Sequence, residues 1–139
     1  MITNEQKENF ISTYVEINKR IPYITELKAK YERLKPCGYD YIDDEWFYNV
    51  ETNTFESKAI TRGCCGDPDD EHYFETTWEE MLDPDIENTL IKKHDLLVKA
   101  EEEKQKKERA KKELEDKIKQ EKKKKDEYDL YLKLKQKFE

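Results

Sequence analysis

Cys37, Cys64, Cys65 and His72 carry the donor types that zinc selects, thiolate sulfur and imidazole nitrogen. Their spacing argues against a zinc site, because adjacent cysteines on an extended chain point to opposite faces and no Cys-x-x-Cys pair occurs. A turn holding reduced thiols is the expectation. Asp67-Pro68-Asp69-Asp70-Glu71 offers hard oxygen ligands of the kind calcium takes. Counted from Asp67, however, His72 falls where a calcium loop needs glycine and Trp78 where it needs glutamate. This segment reads as a solvated acidic loop. There is no glycine-rich phosphate loop, and neither His72 nor His94 stands beside a nucleophile or metal pattern. We therefore expect no catalytic residue, no metal, no cofactor and no enzymatic activity.

What the residues do offer is charge sorted by position. Between Pro36 and Leu90 sixteen carboxylates face only Lys58 and Arg62, a net of −14, whereas both flanks are mildly basic and the whole chain sums to −7. Summed charge governs association more than fold. An acidic module between basic helical segments favours a cationic partner surface. Lys122 to Lys125 form a local basic patch, but glutamates interleave the surrounding segment and the protein is acidic overall, opposite to the footprint of a duplex binder. Direct nucleic-acid binding is not expected. No signal-like N-terminus and no apolar run approaching the ~18 residues of a membrane span is found, so the expectation is a cytoplasmic protein without a membrane partner.

The elements that must position these charges follow from period and punctuation. Thr3 or Asn4 can cap a helix along which Phe10, Tyr14, Ile17, Ile21, Ile24, Leu27, Tyr31 and Leu34 recur at spacings of three and four. Pro22 predicts a kink or break near Lys19 to Ile21, and Lys35-Pro36-Cys37-Gly38 a stop. Tyr41 to Val50, Phe55 to Thr61 and His72 to Thr76 read as three strands of an antiparallel meander, with the N-terminal helix as lid. Overlapping Thr-x-x-Glu patterns at Thr76 and Thr77 predict a short helical turn, and Asp83-Pro84 starts a helix that nothing interrupts afterwards. The predicted fold class is α+β: a kinked N-terminal helix, a three-stranded antiparallel sheet and a long C-terminal helix resembling a coiled-coil arm. The expected division is a module over 1–84 and an arm over 85–139.

The arm carries Glu→Lys pairs four residues apart at 102/106, 103/107, 108/112, 113/117, 115/119 and 121/125, enough together for about 2 kcal/mol of helix support. A heptad seam through Leu90, Leu97, Leu114, Ile118, Tyr128 and Leu132 is interrupted where its positions Lys104, Lys107 and Lys111 are all lysine. A strong parallel zipper is therefore not expected, whereas a looser antiparallel or two-fold pairing is compatible with the pattern. Tyr128, Leu130, Tyr131, Leu132, Leu134 and Phe138 gather apolar character at the tip, where water is a poor environment for them. We expect a homodimer, with Leu90, Leu97, Leu114, Ile118, Tyr128, Tyr131, Leu132 and Phe138 as its contacts.

In general character the acidic, aromatic segment from Tyr39 to Thr77, the Arg62-Gly63-Cys64-Cys65-Gly66-Asp67 loop and the Lys/Glu arm resemble those of the small proteins that bacteriophages encode to disable host machinery. Anti-CRISPR proteins belong to that group. The resemblance implies action by occluding a binding site, by forcing dimers of the target or by sequestering a nucleotide signal. With the acidic charge, the expectation is non-catalytic binding of a host protein in the host cytoplasm that occludes a basic, nucleic-acid-binding site. The residues expected to meet that partner are Tyr39, Tyr41, Asp43, Asp44, Glu45, Trp46, Asp67, Asp69, Asp70 and Glu71. Two alternatives stand beside this one: a protein that sequesters a small ligand or nucleotide with Arg62 as its anion contact, and a coiled-coil scaffold.

Overall fold

The computed structural model describes residues 1–138. Helix α1 spans Asn4–Tyr31, and Thr3 caps it by accepting from Gln6 N while the Gln6 side chain returns the bond to Thr3 N. Pro22 is accommodated inside this helix without a break, and the chain leaves it at Glu32, ahead of the Lys35-Pro36 stop expected from the sequence. Only the second half of the apolar stripe is used. Ile21, Ile24 and Leu27 are buried and Ile17 and Tyr31 pack beside them, whereas Phe10, Tyr14 and Leu34 remain exposed.

The sheet has strands β1 (Tyr41–Ile42), β2 (Phe47–Asn49), β3 (Thr54–Thr61) and β4 (Asp70–Thr77), all antiparallel. β4 pairs with β3 along its whole length, so β1 and β2 lie end to end on the opposite edge. The four strands are thus the expected meander with its first strand interrupted. Ile42 pairs with Ala59 and Phe47 with Glu56, so the four residues Asp43 to Trp46 face only Ser57 and Lys58. The two surplus residues form a bulge. Asp43 N bonds Lys58 O at 2.9 Å as the bulge opens, and Glu45 N bonds Asp43 Oδ1 at 3.0 Å inside it.

Helix α1 lies on one sheet face. Phe55, Ala59, Phe74 and Thr76 turn toward it and are buried, and Ser57 meets Thr25 through a hydroxyl–hydroxyl bond of 2.6 Å. Thr77 caps the short helix α2 (Trp78–Leu82) through the predicted capping box with Glu80. Helix α3 (Ile86–Phe138) follows, with Asp83 accepting from Asp85 N and from Thr89 Oγ1. Those two bonds, with Arg20 nearby, hold the Asp83 carboxyl below the usual range.

Two compact units result, residues 1–98 and 99–139. The first, the head, runs past the boundary expected at Pro84 because Ile86 and Leu90 complete its core against Ile21, Ile24, Leu27, Phe55 and Met81. Leu90 was expected to be a dimer contact; this is corrected here, since its side chain is consumed inside the head. The second unit is the remaining helix of α3, and every side chain described beyond Glu101 is exposed. Among the described residues no ion pair closes along it, so the predicted Glu→Lys pairs leave their charges to water.

Lys28 fastens the lid. Although charged, it is 4% exposed; its ammonium donates to Glu75 O and pairs with Glu80 at 2.9 Å, joining α1, β4 and α2. Burial alone would raise the Glu80 carboxyl, but the Thr77 N–H and the Lys28 ammonium outweigh it and leave the group below its ordinary value. Arg20 makes a parallel tie, donating from Nε to Met81 O at 2.8 Å and from Nη2 to Asp83 O.

Three outcomes are expected. Lys28→Met removes the ammonium from Glu75 O and from Glu80, which keeps its Thr77 donors, and should cost about 1–3 kcal/mol, read from the urea midpoint. Glu80 binds its proton less tightly folded than unfolded, so its contribution is complete above the ordinary glutamate value of 4.5 and is lost as pH falls below that. The acid limb of a stability–pH curve should accordingly be shallower in Glu80→Gln. Thr76 Oγ1 is buried and without a partner among the described residues, so Thr76→Val should raise stability by about 1 kcal/mol in the same urea assay.

Candidate protein-interaction face

Alternation along the strands sends Tyr41, Phe47, Glu56, Lys58, Ile60, Glu71, Tyr73 and Glu75 to the sheet face away from α1. Much of this face is wet, with Phe47 63% exposed and Tyr73 65%, while Ile60 is buried and Glu56 and Lys58 are half-buried. Its one ammonium, Lys58, lies 3.5 Å from Asp43 and 3.2 Å from Glu71. The Tyr73 hydroxyl also donates to Glu71. That hydroxyl and then Lys58 pull the Glu71 carboxyl below its usual range, and Glu71 in return holds the Lys58 ammonium and the Tyr73 hydroxyl above theirs. Lys58 is therefore spent internally. The other sheet-edge cation, Arg62, stacks over the Tyr41 ring at 5.4 Å, while its backbone N–H bonds Asp40.

The bulge opens a hollow of about 210 Å³, lined by Glu45, Trp46, Phe47, Glu56, Lys58 and Tyr73. Aromatic faces beside carboxylates suit an incoming cationic side chain, which gains from the ring quadrupole and the anions together.

The sequence-predicted residues divide between the two sides of the sheet. Asp44 and Glu45 are exposed at the bulge, Asp43 is half-buried against Lys58, and Tyr41 and Glu71 face outward. Trp46 turns inward: its Nε1 donates to Asn18 Oδ1 at 2.5 Å and its ring meets Tyr14 at 5.5 Å and Phe55 at 5.8 Å. Tyr39 packs against the Ala29, Ala59 and Phe74 cluster. Tyr39 is thus half-buried on that cluster, whereas Trp46, also half-buried, lines the hollow as well. Asp67, Asp69 and Asp70 are exposed along the loop into β4, where Asp69 Oδ1 accepts from Gly63 N at 2.9 Å. Gly63 is required there, because a Cβ would come within 2.1 Å of Asp67 O. Phe47, Tyr73, Glu56 and Glu75 were not singled out from the sequence. Strict alternation from Tyr41 and around buried Phe74 is the signal that would have found them.

Cys64 and Cys65 are exposed free thiols with sulfurs 3.0 Å apart, and the bond between them pushes the Cys64 thiol up, away from a reactive thiolate. Cys37 packs on the Ala29 cluster and His72 Nε2 lies 3.0 Å from Thr61 Oγ1. No three His, Cys, Asp or Glu groups among the described residues gather to hold a metal. Two further grooves lie in the head, of about 360 Å³ beside Arg20, Tyr23 and Trp78 and about 430 Å³ beside Lys28, Tyr31 and Leu97. Arg62 lines neither. No helix among the described residues is long and apolar enough to cross a membrane. No family model, curated protein or solved structure matches the chain.

Proposed function

We propose that the head is a non-catalytic binding module whose outward sheet face docks on a basic surface of another protein and blocks that surface from nucleic acid. The observation that carries this reading is the combination on one wet face of Phe47 and Tyr73 with Glu56, Glu71 and Glu75, its lone ammonium already neutralised by Asp43 and Glu71. Between Met1 and Val98 there are eleven basic and twenty-two acidic residues, a net of −11, so the field around the head steers cationic surfaces toward it. Steering of this kind raises the association rate and falls with salt. The aromatic rings supply what the carboxylates cannot: desolvated contact area that persists once the partners have met. The same mode of action is that of the phage-encoded inhibitors the chain resembles, and we extend it to this protein as part of the proposal.

Affinity capture from a host lysate tests it when run with three baits: the protein, the charge-reversed Glu56→Lys/Glu75→Lys variant, and Phe47→Ala/Tyr73→Ala. All four substitutions are at exposed or half-exposed positions, and the fold of each bait is verified by circular dichroism. The expected outcome is a retained basic protein that the native bait holds in low salt, that leaves above about 0.5 M salt, and that both variants lose at least tenfold. Oligonucleotide added in excess should compete for it. Retention unchanged by charge reversal would discard the electrostatic face.

A further inference from the structure

The second unit leaves one row of its helix unexplained: Leu114, Ile118, Glu121, Lys125, Tyr128 and Leu132 recur at alternating spacings of four and three, and the four apolar members are 38–61% exposed. That spacing is the seam of a coiled coil. We propose that this seam is covered by the same seam of a second copy, running antiparallel about a two-fold axis at Lys123.

The register follows from the residues. Reversed about position 123, Leu114 meets Leu132 of the second copy, Ile118 meets Tyr128, and Glu121 meets Lys125. Each apolar side chain finds an apolar one, and the two charged layers that interrupt the seam become opposite-charge pairs. A parallel pairing puts Glu121 on Glu121 and Lys125 on Lys125, which are repulsions inside the seam. Sliding the antiparallel pair by one heptad in either direction sets leucine or isoleucine against a charge. One alignment therefore satisfies the whole row. Two-fold symmetry makes every layer occur twice, as an isologous contact requires.

The contact is short, about 27 Å from Leu114 to Leu132 at the helical rise. Lys122 and Lys124 flank the axis and repel their own copies. Both features place the dissociation constant in the range of about 1–50 µM rather than nanomolar.

Sedimentation equilibrium of the full chain, with charge swaps, tests the pairing. The native protein should dimerise in that range. Glu121→Lys alone, or Lys125→Glu alone, places like charges in both polar layers and should weaken the dimer at least tenfold, while the double swap Glu121→Lys/Lys125→Glu restores it. These side chains are fully solvent-facing, and helicity measured on each variant confirms that the arm still forms. Spin labels at Lys133→Cys, with the three native cysteines replaced by serine, give orientation: about 30 Å between labels for antiparallel arms, about 10 Å for parallel ones. A monomer at 100 µM, a double swap that fails to restore, or the shorter label distance each overturns the proposal.

Discussion

The ammonium of Lys28 is the point on which the head depends. It sits where the lid helix, the last strand and the strap of α2 converge, and it serves one backbone carbonyl and the Glu80 carboxylate that also caps Thr77. A buried pair of this kind is weak evidence for net stability, because desolvation cancels much of the attraction. What it secures is position. Glu80 cannot serve both as the capping partner of Thr77 and as the mate of Lys28 unless α1 lies at one height on the sheet. The apolar core alone, assembled from isoleucines and leucines that tolerate sliding, would fix that height less well.

From that constraint the exposed face follows. With α1 pinned on one side, the side chains at alternate positions of β3 and β4 turn to the opposite face, where Glu71, Tyr73 and Glu75 meet water. The bulge between Ile42 and Phe47 preserves the alternation because it adds two residues, an even number, so Trp46 stays inside and Phe47 outside. Its sequence also accounts for its place. Asp43, Asp44 and Glu45 in succession are poor strand formers that repel one another, and the chain lifts there until Asp43 reaches Lys58.

Much of this was legible before any coordinates. The helix cap at Thr3 or Asn4, the capping box at Thr77, the meander, the lid helix and the long C-terminal helix all announced themselves through local chemistry, as did the exposed carboxylates of the bulge and the loop. What was not legible involved competition between distant partners. Aromatic character marked Trp46 and Tyr39 as anchors, but only the tertiary fold shows that Asn18 and Phe55, or Ala29 and Phe74, use them first. Leu90 belongs to a seam by spacing and to the core by contact, and burial decides between the two. Pro22 suggested a break, yet a single lost hydrogen bond is small beside the packing of Ile21 and Ile24 on either side of it.

A plainer account of the acidic face holds that carboxylates merely keep a small sheet soluble and prevent its edges from pairing with other chains. Edge protection is a sound reason for Asp70, Glu71 and Glu75, since β4 has one unpaired edge and like charges along it discourage a further strand. It gives no reason for Phe47 and Tyr73. Large rings left mostly in water lower solubility, and a face selected only to remain dispersed could carry threonine there, which a strand accepts well. Nor does it explain why the one lysine present is locked between Asp43 and Glu71 instead of being interspersed to balance the field. Aromatic area and unbalanced charge kept together on one face are two costs that solubility does not require, and the cationic partner proposed above would account for both.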